Sequence, residues 1–376
     1  MITSETPEKE ELRYLASLLC PPTKVNTIID KPEGLNEDNI LSRLDHHGIT
    51  MLMLEKNRLS HEISNSLEPR KAMMVANSDL KTRGLNKLFQ NFNNAGLRKC
   101  ILFKGAALAH TYYPEPWLRP STDSDCLISP EDRLKYEAIL TGQLEFKKLF
   151  AIEGELVSYQ STYVRKLTKN TNLILDLHWR VNNRQTLAKT YTINELSERG
   201  TTTSKLNHAV IIPSAVDCIL LSCIHRLGHH ANDERLIWLY DIHILVNALN
   251  EESWEELCLL CDDKQIAAIT LDALLICEDL LETHIPENSK TLLIKLSQRD
   301  EPSKLVLQRN VSEWQLFKQD LESLDNIQLK AQLLKENLFP SSDYIRESMK
   351  TDNLAKGHSK RLIRGLKRVI KKQIDK

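Results

Sequence analysis

The stretch Lys99-Cys-Ile-Leu-Phe-Lys-Gly-Ala-Ala-Leu-Ala-His-Thr-Tyr-Tyr113 decides the fold class. Its first five residues form a short continuous apolar run of the kind that fills a buried strand. Lys104 and Gly105 follow, and residues 105–113 then have helical character until Pro114 and Pro116 stop them. A strand that feeds a helix through a Lys-Gly step aims the first backbone N–H groups of that helix past a residue with no side chain. This geometry suits a phosphate, with Lys104 adding a cation.

Downstream, Asp123-Ser-Asp-Cys-Leu-Ile128 reads as a second strand and residues 130–144 as a helix. Further strands are expected over 146–152, 157–167 and 173–181. Side chains at i and i+2 of a strand share a face, so Asp123 and Asp125 stand side by side, a repulsive arrangement unless a cation lies between them. In Leu173-Ile-Leu-Asp-Leu-His-Trp-Arg-Val181 the same alternation puts Asp176, His178 and Arg180 on one face, with Leu175, Leu177 and Trp179 on the other. Three carboxylates on neighbouring strands are a hard oxygen set that fits one or two Mg²⁺ ions bridged by substrate phosphates. Phosphoryl or nucleotidyl transfer is the chemistry this predicts.

Outward from this core the pattern is helical on both sides. Thr6 as N-cap and Pro7 at the first helical position open a helix with Leu12, Leu15, Leu18 and Leu19 on one face. A second pattern runs through Leu41, Leu44, Ile49, Leu52 and Leu54, and a third over about 72–94. After the strands, helices are expected over 215–225, 234–249, 253–261, 266–281 and 305–338. The class is therefore α+β, a small mixed-sheet domain between helical ones. The expected units are 1–95, 96–212 and 213–352, with a basic amphipathic helix over 353–376.

Three segments together resemble an uncharacterised nucleotidyltransferase family within the polymerase-β-like nucleotidyltransferase superfamily. They are Leu102-Phe-Lys-Gly-Ala-Ala-Leu-Ala109, Tyr113 with Arg119, Asp123 and Asp125 at fixed spacing, and Leu175-Asp-Leu-His-Trp179. Weaker similarity reaches His46-His-Gly-Ile49, Arg235-Leu-Ile-Trp-Leu-Tyr-Asp241 and Phe339-Pro-Ser-Ser342. The resemblance implies a polymerase-β-like catalytic domain. Asp123 and Asp125 would be ligands to both metals, and Asp176 the third carboxylate near the attacking hydroxyl. The wider superfamily's phosphate-binding Gly-Ser is Lys104-Gly105 here. The expected activity is Mg²⁺-dependent transfer of a nucleoside monophosphate from an NTP to an unidentified hydroxyl acceptor, a small molecule, protein or RNA. Lys104, Gly105, Arg119 and His178 are the expected substrate contacts. A non-catalytic nucleotide-binding scaffold of the same fold is the alternative, disfavoured because all three carboxylates are present.

Composition is that of an ordinary globular protein, with 41% hydrophobic and 27% charged residues. Only 11 glycines and 13 prolines argue against turn-rich propellers and sandwiches. No window of about 18 apolar residues suggests a transmembrane segment. With no basic, apolar leader in the opening residues, a cytoplasmic location is expected. The eight cysteines sit mostly in apolar stretches and read as free core thiols, the Cys258–Cys261 pair included. His225, His229 and His230 lack a further ligand at zinc spacing. Residues 355–376 hold nine Lys or Arg against Asp375, so a net −1 overall less this +8 leaves −9 on the rest. That tail would dock on the acidic body or touch an anionic surface.

Overall fold

The computed structural model describes residues 7–21, 31–32, 34–35, 37–149, 154–206, 210–230, 234–308, 311–361 and 363–364. Helix α1 (Pro7–Leu19) buries Leu15, Ala16 and Leu19. The pattern read as one helix through Leu54 is two, α2 (Glu37–His46) and α3 (Thr50–Glu55). They part at Gly48, whose φ of +71° only glycine adopts without strain. Helix α4 (His61–Asn94) begins earlier than its apolar stripe suggests, because Ser60 caps it through the Ile63 N–H and Pro69 sits inside without ending it.

Strand β1 (Cys100–Phe103) runs directly into α5 (Lys104–Thr111). Next come β2 (Ser124–Ile128), α6 (Arg133–Ala138), β3 (Lys147–Lys148), β4 (Gln160–Lys166) and β5 (Asn172–His178). The five strands form one mixed sheet in the order β1-β2-β5-β4-β3, with β2 and β5 parallel and every other neighbour antiparallel. The α+β class read from the sequence is thus the observed one. Three strands, β3, β4 and β5, are shorter than expected. Residues 150–153 lie outside the described residues, and β5 ends at His178, where Trp179 turns into a cluster with Leu156, Tyr159 and Ala188. Arg180 therefore leaves the face that carries Asp176 and lines a separate cavity with Trp179 and Tyr191.

One sheet face, with Leu102, Cys126, Tyr163, Leu175 and Leu177, packs on Leu85, Leu88, Phe89 and Phe92 of α4. Each fully buried Leu or Phe here contributes about 1.5–3 kcal/mol. The chain beyond β1 protects that edge strand, since the Leu102 N–H donates to the Ile211 carbonyl at 2.9 Å.

Two short helices missed in the sequence, α7 (Gln185–Ala188) and α8 (Ile193–Glu198), follow β5; Thr192 and Glu195 form a capping box at α8. Then come α9 (Ala215–His230), α10 (Leu236–Val246), α11 (Glu251–Asp263), α12 (Ala267–Leu281) and α13 (Glu287–Ser297), the last also unread in the sequence. They share one core with α1–α3, in which Leu15, Leu44 and Met53 join Leu220, Leu239 and Leu274. Ile101 and Phe103 of β1 and Leu127 of β2 reach into the same core, so the helices grip the sheet at β1 and β2.

The helix expected over 305–338 is broken into a 3₁₀ turn (Pro302–Leu307), α14 (Glu313–Glu322) and α15 (Ile327–Leu338). Ser312 and Asn326 cap the two new N-termini and so interrupt the run. The carboxylate of Glu336 on α15 accepts the consecutive N–H groups of Glu155, Leu156 and Val157 at 3.0, 2.8 and 3.0 Å. It thereby pins the loop that leads into β4. Helix α16 (Ser342–Met349) follows, and residues 354–361 are helical. Residues 365–376, most of the basic tail, lie outside the described residues. No described helix is long and apolar enough to cross a membrane.

Candidate active site

The strand register builds the site. Asp125 on β2 is paired with Phe103 on β1 and with Asp176 on β5, and Asp176 is paired in turn with Thr162 on β4. A band across the middle of the sheet therefore carries two carboxylates on adjacent parallel strands. His178 lies two residues beyond Asp176, on the same face.

Lys104 completes the band from the helix side. Its φ of +58° puts a non-glycine residue in the left-handed region, at a cost of roughly 1–2 kcal/mol, where strand becomes helix. From there its ammonium lies 2.7 Å from Asp125 Oδ1. His178 Nε2 donates to the same oxygen at 2.8 Å, and its ring stands edge-on to Phe103. Burial works to raise the Asp125 pKa, but the charge of Lys104 and the His178 hydrogen bond overcome it and hold the carboxyl far below the usual range. His178 is pushed down by burial and by Lys104, so it is a neutral imidazole with its proton on Nε2. Both contacts fall on Oδ1, which leaves Oδ2 for a further cation.

Asp176 accepts a hydrogen bond from Thr162 Oγ1 at 2.6 Å and one from Gln160 Nε2 at 3.2 Å. Burial nevertheless raises its pKa, with the Asp125 charge adding to the effect. Asp123, just before β2, is half-buried; its pKa is raised by burial, then by Asp125 and Asp176. Lys104 is the ammonium paired directly within this group of three carboxylates, and two of them sit uneasily as anions. Such a surplus of buried negative charge is what a divalent cation neutralises. Among the described residues, Asp125, Asp176 and His178 form the group able to hold a metal ion, with ligand atoms within 4.8 Å of one another. The donor set fits a divalent metal. His178, expected at the substrate, lies on Asp125 and within this group, while Asp123 flanks it.

Arg119 pairs with neither Asp123 nor Asp125. Its guanidinium is buried and grips Asp241 of α10, with Nε 2.9 and 3.0 Å from the two carboxylate oxygens and Nη2 at 2.7 Å. The hydroxyl of Tyr113 donates to the same carboxylate at 2.8 Å. The pKa of Arg119 is raised despite burial, because Asp241 more than offsets the loss of water. The pair fastens the turn before β2 to α10. Gly105 lies against it, since a Cβ there would stand 3.1–3.2 Å from the guanidinium of Arg119.

Thr162 and Gln160 were not singled out in the sequence, although strand alternation places both on the Asp176 face. Cys258 and Cys261 are buried in the helical core with free thiols. The His225 ring packs edge-on to Trp238, and the side chains of His229 and His230 lie outside the described residues.

A mixed sheet bearing facing carboxylates, with a strand-to-helix lysine between them and the next helix, is a framework for metal-assisted group transfer. The family model described as an uncharacterised nucleotidyltransferase matches residues 34–282, and the chain belongs to that family. No curated protein matches the chain.

Proposed function

We propose that the protein is an Mg²⁺-dependent enzyme that transfers a nucleoside monophosphate from an NTP to a hydroxyl acceptor and releases pyrophosphate. The observation that carries this reading is the register match of Asp125 with Asp176 on adjacent parallel strands. Asp123 adds a third carboxylate, and Lys104 starts a helix beside them. Asp123, Asp125 and Asp176 would hold one or two Mg²⁺ ions, with His178 orienting Asp125. The metal supplies Lewis-acid stabilisation of the charge that builds on the phosphates.

The chain's own residues do the rest. Lys104, drawn to Asp125 by its charge, turns to a phosphate oxygen when the site is loaded, and the first N–H groups of α5 face the same phosphates. The acceptor oxygen bonds to the α-phosphorus while the bond from that phosphorus to the bridging oxygen breaks. The hydroxyl proton passes to the Asp176 carboxylate, and pyrophosphate leaves with the electron pair. The unit 96–212 would perform the chemistry, with 1–95 and 213–352 framing it, in the cytoplasm.

Incubation with each NTP and Mg²⁺, followed by mass spectrometry of modified small molecules, proteins and RNA, tests the reading. Transfer with pyrophosphate release should appear and fall about 10²-fold or more in Asp125→Asn and Asp176→Asn. Full activity in either variant would remove that residue from the mechanism, and no NTP binding in the wild type would remove the reading itself.

A further inference from the structure

The parallel strands β2 and β5 end side by side, at Ile128 and His178, and a cavity of about 270 Å³ lies at those ends. Parallel neighbours are not joined by a hairpin, so nothing local closes the gap between them. Ser129 and Glu131 line the cavity from the chain beyond β2, Trp179 and Arg180 from the chain beyond β5, and Tyr191 and Asn194 from the approach to α8 and its first turn. Its volume suits a small ring-bearing molecule and is too little for a macromolecular surface.

The aromatic walls are already braced. The guanidinium of Arg133 lies 4.7 Å from the Trp179 ring centroid, and the ammonium of Lys264 lies 5.3 Å from that of Tyr191.

The polar lining is rich in donors. Arg180 is half-buried and, among the described residues, makes no hydrogen bond and no ion pair. Its five N–H groups are therefore open to an acceptor, and its charge has no carboxylate beside it. Trp179 is only 7% exposed, and its indole N–H is buried without an acceptor among the described residues. A buried donor in that state carries a cost that an incoming acceptor removes. The side-chain oxygen of Asn194 already accepts from Lys99 at 2.9 Å, which leaves its amide N–H groups to donate. Glu131, the one carboxylate in the lining, is exposed and forms no ion pair with Arg180.

We propose that this cavity binds a small molecule carrying a carboxylate or phosphate on a flat apolar body. The anionic group pairs with Arg180, whose planar fork takes two oxygens at once. The body lies against Trp179 and Tyr191. Asp123, Asp125, Asp176 and Lys104 do not line the cavity, so the site is separate from the carboxylate band and does not depend on the nucleotidyl-transfer reading.

Calorimetric titration of the full chain with benzoate, with phenyl phosphate and with neutral benzamide tests it. Benzoate or phenyl phosphate should saturate the wild type, and whichever binds more tightly identifies the anionic group. Benzamide should bind about tenfold more weakly or worse, because it offers Arg180 no charge. Arg180→Gln should weaken the tighter anion about tenfold or more. Ile193→Trp, which fills the cavity from α8 with Arg180 intact, should do the same. A non-hydrolysable NTP added with Mg²⁺ should leave the anion titration unchanged. The proposal is overturned if neither anion binds the wild type, if benzamide binds as tightly, if either variant keeps its affinity, or if the NTP displaces the anion. Anion binding that depends on Arg180, in a protein that binds no NTP, would sustain the site and defeat the nucleotidyl-transfer reading alone.

Discussion

Gly105 and Arg119 are in contact through an absence: a methyl group on Gly105 would stand 3.1 Å from Nη1 of an arginine whose other nitrogens are fixed on Asp241. The arginine is the end of a buried ion pair and has nowhere to move. Gly105→Ala should therefore lower stability by about 1–3 kcal/mol, the usual cost of overpacking. Urea denaturation measures it. Combining it with Arg119→Lys, which withdraws the guanidinium, should return part of the cost, whereas strict additivity would place the strain elsewhere.

Lys104 and Asp125 form a pair with side chains only 10% and 11% exposed. Lys104→Met leaves the Asp125 carboxylate buried with the His178 imidazole as its one remaining hydrogen-bond partner among the described residues. The loss should be about 3 kcal/mol in metal-free protein. Mg²⁺ should then raise the melting temperature of the variant more than that of the wild type, because the ion replaces the missing charge. Equal shifts would show that Lys104 and the ion do not compete for Asp125.

Asp123 has the opposite sign. Its folded pKa is raised above the unfolded value, by burial first and by Asp125 and Asp176 next. Such a carboxyl favours the folded state below its unfolded pKa and loses that contribution as pH climbs through the folded pKa. At pH 7 the ionised group thus destabilises the metal-free protein. Asp123→Asn should melt higher than the wild type at pH 7 without metal, and the gain should shrink as pH falls toward the carboxylate range. A lower melting temperature at pH 7 would mean that Asp123 is paired in solution.

Thr162 reaches Asp176 with a 2.6 Å hydrogen bond and touches no other candidate ligand. Thr162→Val keeps the shape and removes the donor. Transfer should slow about 10–100-fold, the range for partners that orient a ligating group, with NTP affinity nearly unchanged. Thr162→Ser should restore most of the rate. An unaltered rate in Thr162→Val would assign the orientation of Asp176 to Gln160.

The mixed sheet was legible because its signals are local. The apolar run Cys100–Phe103 and the alternation around Asp125 and Asp176 each fit within a few residues. What depended on distant neighbours was not. Trp179 and Arg180 continue the alternation of β5 on paper, yet the pairing ends one bond past His178, at the Trp179 N–H on the Tyr159 carbonyl, and the Trp179 side chain packs with Leu156 and Tyr159. Asp241 reads as a polar residue on an apolar helix, but its partner Arg119 lies 122 positions earlier. Lys81 sits among polar residues of a long helix, where its sequence looks like a solvated face; only folding places the Ser121 carbonyl 2.9 Å from its ammonium.

Glu336 holds the loop before β4 from a helix at 327–338, well past residue 282, where the family match ends. That loop feeds the strand on which Thr162 and Gln160 orient Asp176. A protein trimmed to the family-matched stretch would keep every candidate ligand and lose the clamp that steadies one of them. For assay or crystallisation, the choice of C-terminal cut would decide the apparent activity before any point mutation did.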